Sequence, residues 1–584
     1  MTSGVLSPEI FSLDSIVDFE ALLSASLIVS PDIIVEHLSR VPDDLIFLSN
    51  PGYGDFGIPS LVPELTTAGE ELLPSLEESP FINSEVFVSD SEYSILSSNF
   101  ESCCSIRTLI SLSALQGRVL GTCDFSNAFL NSVLDPTDGP IYIRPPPRTT
   151  KDKAIVWKLL KSLYGLREAS RRWFDTISTV LTEKMHFHQS PLDPAICFSP
   201  DKDASIIVSL YVDDQLCSFL TKEIGIKFFA DLESISGMKM THQWNPKKFL
   251  GILLDIRHDV TIISQTHYVD EIIAKFGITK PQQHVLPLEP LDRNDTESPL
   301  EDVKLFQAIV GCISWLTITR CDIAFARAIL SERLMNPNEK YQAAAIHVLG
   351  YLLRTRAYGI SYSKYGNSNF ETYCDASYPN CGSIKVNDSY VANITTLGNG
   401  WVDFSVKRLE KVFPYSTTES EFIATWHGMR CARVVRNVGI SLGMEEKPIC
   451  LFNDNKVVTE ILSKNYKCNK LKGIAIALHG LSHAIKIGIV TTKHVPGKEN
   501  IADLISKQHP CGDIVHLTYL LSKFLYVPEN FEQGNQKLSN ICIKNSSFSP
   551  NLVSFLDSET IFAGEFWTID DGARLLKINH DYFI

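Results

Sequence analysis

The stretch "SIIVSLYVDDQLCSF", Ser205 to Phe219, sets two adjacent aspartates, Asp213 and Asp214, inside an otherwise apolar run. Apolar segments on both sides predict a buried β-hairpin with like charges at its tip. Carboxylates so close raise each other's pKa. A divalent cation removes that cost, and hard oxygen ligands suit Mg²⁺. An isolated Asp-Asp is ordinarily a solvated turn; Tyr211, Val212 and the flanking apolar runs argue against that here. Two-ion phosphoryl transfer, with ions ~3.5–4 Å apart, needs a further carboxylate from elsewhere in the chain. "TCDFSNAF" offers one, Asp124, at the end of an apolar strand.

Outward from the hairpin, "SIRTLISLSALQG" (Ser105–Gly117) reads as a helix stopped by glycine. "IYIRPPPR" is extended and ended by prolines. "AIVWKLLKSLYGL" gives a strand and turn before the helix "EASRRWFDTISTVLTEK". There Lys158, Lys161, Arg167, Arg171 and Arg172 interleave with Tyr164 and Trp173. Such a mixture suits a groove that binds phosphates and stacks bases; an ordinary amphipathic helix is the competing reading. "WNPKKFLGILLDI" reads as a basic helix and loop, and "PQQHVLPLEPLDRNDTESP" as a hinge. Leu300 to Arg356 is helical in pattern, and a strand-rich second domain starts at "SNFETYCDASYPN" and runs to about Pro510.

That second domain repeats the theme of dispersed acids. Asp375 stands at a strand, and Glu419 and Glu421 on a helix with a Ser/Thr cap. Asp454 follows an apolar strand, and Asp503 lies on a final helix. Four carboxylates converging on one end of a mixed sheet are what a two-ion nuclease needs. His494 precedes the last helix and reads as a surface residue. His479 and His483 have i,i+4 spacing but no third ligand nearby, so they read as packing or surface.

The bulk composition excludes little. The 584 residues carry a net charge of −15, but residues 1–100 alone hold −16, with Arg40 their one Lys or Arg, which leaves the other 484 residues at +1. The acidity therefore says little about the partners of the rest. The 14 cysteines include no CxxC pair, which points to a reduced, intracellular protein. There is no basic n-region with an apolar run, and no stretch of 18 uncharged apolar residues.

"DFSNAFLN", "WKLLKSLYGLREASRRWF", "LYVDD", "KFLGI" and "VGCISWLTITRCDIAFA" follow one another in a family order that continues through "YQAAAIHVLGYLLRTRAYGISYSKYG" to "IADLISK". Over roughly residues 103–508 the chain resembles the copia-type LTR retrotransposon Pol polyprotein, in its reverse transcriptase and RNase H region. The resemblance implies an α+β and α/β multidomain fold: a right-hand polymerase palm with thumb or connection helices, then an RNase H-like mixed-sheet domain. The expected layout is an acidic, weakly ordered arm over 1–100, palm over 101–290 and helical thumb or connection over 291–366. The RNase H-like domain then covers 367–510, and an unassigned extension 511–584.

As the resemblance has it, Asp124, Asp213 and Asp214 are catalytic metal ligands of the palm. Asp375, Glu421, Asp454 and Asp503 are those of the nuclease. Glu421 is preferred to Glu419 because "SEFIA" aligns with the family's pattern, Glu419 being a helix-face charge. Phe129 matches an aromatic gate against the sugar 2′-OH, with a core aromatic as the alternative. Tyr211, Arg167, Arg171 and Arg172 would contact substrate. The implied cofactor is Mg²⁺, two ions per site, with Mn²⁺ a substitute. The implied partners are an RNA template, a DNA primer, an RNA–DNA hybrid read by shape, dNTPs, and other products of the polyprotein, with no membrane. The implied setting is intracellular, cytoplasmic in a virus-like particle and/or nuclear.

The chain also departs from the family. Where Lys/Arg-bearing fingers belong, Arg40 stands alone in a hundred residues, so the fingers are expected to be missing and polymerisation impaired. Glu168 and Ser170 replace the usual Gln and Pro, and no integrase zinc spacing, Asp-Thr-Gly loop or zinc knuckle occurs. Three functions stay open on the sequence: a reverse transcriptase with RNase H, an RNase H-only nuclease, and an inactive relic or hybrid-binding scaffold.

Overall fold

The computed structural model describes residues 16–17, 35–37 and 97–526, less 135–138, 145–154, 167, 202, 283–285, 289–290, 292–297, 378–388, 410–413, 415, 465–473, 508 and 510–513. Most of the acidic arm, most of the expected hinge, Arg167 and the chain beyond 526 lie outside the described residues. The chain divides into two units, Met1–Ser98 with Phe129–Trp173, and Asn99–Ala128 with Phe174–Ile584.

The second unit holds a six-stranded antiparallel palm sheet. Its spatial order is Met240–Trp244, Val119–Phe125, Asp214–Phe219, Ile206–Tyr211, Ile196–Phe198 and His188–Gln189. Ile207, Val208, Leu216, Cys217 and Phe219 are fully buried, so the hairpin read from the sequence is a core hairpin. The helix Lys222–Ser236 covers one face, its Phe228 and Phe229 packing with Phe219 and Trp244. Gly225 lets this helix approach closely, since a Cβ there would stand 2.5 Å from the Trp244 ring.

The helix Ser97–Gln116 is buried on every side from Cys104 to Ser113. Its polar groups are satisfied across the unit, as burial requires. Arg107 Nε donates to Val402 O at 2.7 Å and Nη1 to Ile318 O at 3.1 Å. Ser111 Oγ donates to Leu397 O at 2.9 Å, and Ser113 Oγ lies 2.7 Å from Ser218 Oγ. One helix thus ties the palm strand carrying Ser218 to Ile318 and to the strands carrying Leu397 and Val402.

"WNPKKFLGILLDI" is strand, not helix. Lys248–Phe249 and Ile252–Ile256 pair across a tight turn in which Leu250 and Gly251 have φ of 47° and 76°. Inward Ile252 and Leu254 alternate with outward Leu253 and Asp255, a period of two that the short run concealed. These strands join Val260–Ser264 and Gly359–Ser363 in one four-stranded sheet. Between the last two strands run the helices Thr266–Lys275, Lys304–Leu316, Ala324–Ser331 and Glu339–Arg354; the last three lie where the sequence pattern is helical, and the first lies within the stretch expected to be palm.

The "TRCDIAF" motif serves this segment. Arg320 and Asp322 form a buried fork, with Nε donating to Oδ1 at 2.9 Å and Nη2 to Oδ2 at 2.8 Å. Thr355 O accepts from Arg320 Nη1, and Tyr351 OH donates to Asp322 Oδ2. A buried charge pair with both carboxylate oxygens hydrogen-bonded holds a packing register, and losing one partner is costly.

The last sheet has the order Gly400–Arg408, Tyr390–Leu397, Glu371–Ala376, Ile449–Asn453, Val490–His494. The first three strands are antiparallel, and Glu371–Ala376, Ile449–Asn453 and Val490–His494 run parallel. The long helix Thr417–Ser441 packs on it, its first turn capped by Ser416 Oγ accepting from Glu419 N. This mixed sheet with its crossover helix is the RNase H-like domain. Together with the palm it bears out the expected fold class.

Two acidic centres

In the palm, antiparallel register sets Asp124 directly opposite Asp214. Like charges in that position destabilise a sheet. Asp213 sits in the two-residue turn, where Phe125 N donates to its carbonyl at 3.4 Å. Val212, the other turn residue, has φ of 50°, a left-handed conformation that a β-branched residue rarely adopts. Partial burial and then the Asp213 charge push the Asp124 carboxyl above its ordinary range. For Asp214 the causes are burial, Asp213 and Asp124 in turn. Asp124 and Asp214 remain exposed, and Asp213 half-buried. Tyr211 is 39% exposed, opposite Asp214 in the sheet.

The other palm predictions fall in the first unit or at its boundary. Phe129 is buried, its ring 4.5 Å from that of Tyr164, which is the core-aromatic arrangement. Trp173 is fully buried, so it is a packing residue and not a stacking platform for a base. Lys158 lies on the strand Trp157–Leu159 and Lys161 in a bridge with Val133, so the basic segment becomes helical only from Ala169. Arg171 is exposed, and Arg172 Nη2 meets Glu168 Oε2 at 3.1 Å, an i,i+4 pair.

The second centre is built differently. Asp375 is the penultimate residue of a central strand, Glu371–Ala376, Asp454 directly follows the neighbouring parallel strand, and Glu421 lies near the start of the long helix. One carboxylate oxygen from each lies within 4.8 Å of the others. Gly428 makes this possible, two turns along the helix from Glu421. A Cβ there would stand 2.4 Å from Cys374 Sγ, so only glycine lets the helix approach the strand that carries Asp375. Glu421 joins the cluster and Glu419 does not. Glu419 is buried in the first helical turn rather than being an exposed face charge, because the Ser-x-x-Glu cap region packs inward.

A polar frame holds these acids, and the sequence reading did not single it out. Asn453 Nδ2 donates to Glu421 Oε2 at 2.9 Å and to Thr425 Oγ1 at 3.2 Å. Ser506 Oγ donates to Asp375 Oδ2 at 2.5 Å, and Asn500 Nδ2 to Cys374 O at 2.9 Å. Asn500 also caps the short 3₁₀ turn Ile501–Ile505, accepting from Ala502 N. That turn, not a longer helix, carries Asp503, because Pro and polar residues follow within a few positions. Lys507 Nζ pairs with Asp503 Oδ1 and stands 3.8 Å from Asp375 Oδ2. His494 is exposed, with its Nε2 3.1 Å from the carbonyl of Asp454. His479 and His483 are both exposed on the helix Ala475–Lys486.

Burial pushes the Asp375 carboxyl up to about 7, with Lys507 opposing and Asp503 reinforcing. Glu421 is raised well above its ordinary range by burial, Asp375 and Asp454. Asp454 is raised mainly by burial. All the converging donors are carboxylate oxygens, the set that hard divalent cations prefer. The mutual repulsion is what such a cation would relieve. The residues therefore fit a divalent ion.

The family described as reverse transcriptase (RNA-dependent DNA polymerase) matches residues 84–290. A putative transposon Ty5-1 protein of Saccharomyces cerevisiae is 30% identical over 310 residues, covering 51% of this chain and 97% of that protein. The retrovirus-related Pol polyprotein from transposon RE1 of Arabidopsis thaliana is 26% identical over 411 residues, 69% of this chain. This chain spans 27% of that polyprotein's length. Among solved structures, the foamy viral protease-reverse transcriptase in complex with double-stranded DNA overlaps 66% of this chain and 59% of its own, at 12% identity and a TM-score of 0.38. With the yeast relative matched over nearly its whole length, the chain belongs to the copia-type LTR retrotransposon Pol polyproteins, in their reverse transcriptase and RNase H region.

Proposed function

We propose that the chain cleaves the RNA of RNA–DNA hybrids at the Asp375 centre and carries, at Asp124, Asp213 and Asp214, a centre for RNA-directed DNA synthesis. The single observation behind the hydrolytic half is the convergence of Asp375, Glu421 and Asp454 oxygens within 4.8 Å on one end of the sheet. Mg²⁺ is the expected ion, with Mn²⁺ a substitute. When bound, such an ion polarises the phosphate and lowers the pKa of a water. The protein's own part is to fix three carboxylates on rigid elements, a strand end, a strand exit and a capped helix, so that little reorganisation accompanies the reaction. Asn453 and Ser506 keep the carboxylates aimed. Asp503 would complete the set.

The palm half rests on Asp124 facing Asp214 across the sheet with Asp213 beside them. RNA template, DNA primer and dNTPs are its proposed partners. A particle in the cytoplasm, or the nucleus, is its proposed setting. A nuclease-only chain is the second reading, favoured by a segment of residues 1–100 in which Arg40 is the one Lys or Arg.

The test is a labelled DNA primer on an RNA template with Mg²⁺ or Mn²⁺, followed for extension and for RNA cleavage. Both activities, each lost on Asp213→Asn or Asp454→Asn respectively, bear out the full proposal. Cleavage alone leaves the nuclease. Neither activity from folded protein overturns both.

A further inference from the structure

Asp503, the fourth acid of the nuclease set, already has nitrogen at both of its oxygens. Oδ1 takes the ammonium of Lys507, and Oδ2 lies 3.5 Å from His509 Nε2. The same imidazole nitrogen is 2.7 Å from the Asp503 carbonyl. Lys507 Nζ also stands 3.8 Å from Asp375 Oδ2, so the ammonium lies between the two acids. It is not a wandering surface lysine. Its backbone follows the 3₁₀ turn capped by Asn500, and the adjacent Ser506 is bonded to Asp375. Asp503, correspondingly, is missing from the trio whose oxygens gather within 4.8 Å.

We propose that Lys507 is the built-in counter-cation of this centre. Its ammonium occupies the Asp375–Asp503 side, so the resting site takes one divalent ion, on Asp375, Glu421 and Asp454. A second ion becomes accommodated only as Lys507 turns outward. The lysine is thus a positioning residue that sets how many ions the centre holds before substrate arrives. A flexible four-carbon stem with a compact charge suits that exchange, and a guanidinium forked onto carboxylates would not leave as readily. The inference rests on the hydrolytic reading above, and it concerns ion occupancy rather than turnover.

The experiment counts Mn²⁺ by electron paramagnetic resonance on the full chain without nucleic acid. All proteins carry Asp213→Asn and Asp214→Asn, which removes the palm centre from the count. The parent is expected to bind one Mn²⁺, and Lys507→Ala two, with half-saturation of the first falling about tenfold or more as a unit positive charge is withdrawn. Lys507→Arg keeps the count at one and guards against a mere loss of fold, with circular dichroism and a melting curve recorded for each. Equal stoichiometry and affinity in parent and Lys507→Ala, or two ions in the parent, overturn the proposal while leaving the hydrolytic reading intact. No Mn²⁺ in either protein overturns both.

Discussion

The chain contains two acidic centres, and they solve the same electrostatic problem in opposite ways. In the palm, Asp124, Asp213 and Asp214 stand at the open tip of a buried hairpin, where water screens their repulsion. In the RNase H-like domain, Asp375 and Glu421 are buried, and repulsion is met by Asn453, Ser506 and Lys507. The palm centre has strand register as its precision; the Asp375 centre has a hydrogen-bonded frame as well. A pre-aimed, framed site is ready for an ion, whereas exposed acids depend on what arrives from outside.

The largest effect expected from that contrast is on chemistry. Glu421→Gln keeps the shape but removes a ligand, and should reduce RNA cleavage on the order of a thousandfold while leaving primer extension unaffected. A fall in both activities, measured in the paired assay, would break the separation of the centres. Next comes Gly428→Ala. Its new Cβ has to displace Cys374 or lift the helix, at a cost of about 1–3 kcal/mol, so urea denaturation should show the loss and cleavage should fall through misplaced Glu421. Mn²⁺ affinity of the palm should be unchanged.

The pH response sharpens the comparison further. Asp375 titrates at about 7 in the fold against an ordinary 3.8. Between those values the folded chain holds a proton that the unfolded chain has released, so stability declines as pH rises through that window. Metal-free protein should therefore melt lower at pH 7.5 than at pH 4.5. Glu421→Gln, which removes one of the crowded charges, should flatten the decline more than Asp214→Asn does, since Asp214 is exposed and Glu421 buried. Saturating Mg²⁺ at pH 7.5 should raise the melting temperature by mass action. The smallest effect concerns Val212. Val212→Gly relieves roughly 1–2 kcal/mol of left-handed strain but adds about 0.5–1 kcal/mol of unfolded-chain freedom. The melting temperature should move by a few degrees at most, and a large shift would show that the turn does more than aim Asp213.

The same contrast explains what could be read from residues alone. The hairpin was legible because apolar residues flank Asp213 and Asp214 on both sides, and Glu421 because its helix announces itself with a Ser-x-x-Glu cap. The strands at Lys248–Phe249 and Ile252–Ile256 were not, since strands of two and five residues carry too few periods to separate strand from helix. Trp173 next to Arg172 suggested base stacking, yet only tertiary packing decides whether an aromatic faces solvent or core. Asn453, Asn500, Ser506 and Lys507 are ordinary polar residues whose roles arise from where the chain folds back on itself. One hint was present: Lys507 stands four residues after Asp503, inside the motif "IADLISK".

The most direct test of the account is RNA cleavage in an RNA–DNA hybrid by the Asp213→Asn/Asp214→Asn protein with Mg²⁺, beside the same protein carrying Glu421→Gln. The buried, framed centre is predicted to cleave at the wild-type rate without the palm aspartates and to stop when Glu421 is replaced. Cleavage that disappears with the palm pair, or persists without Glu421, would contradict it.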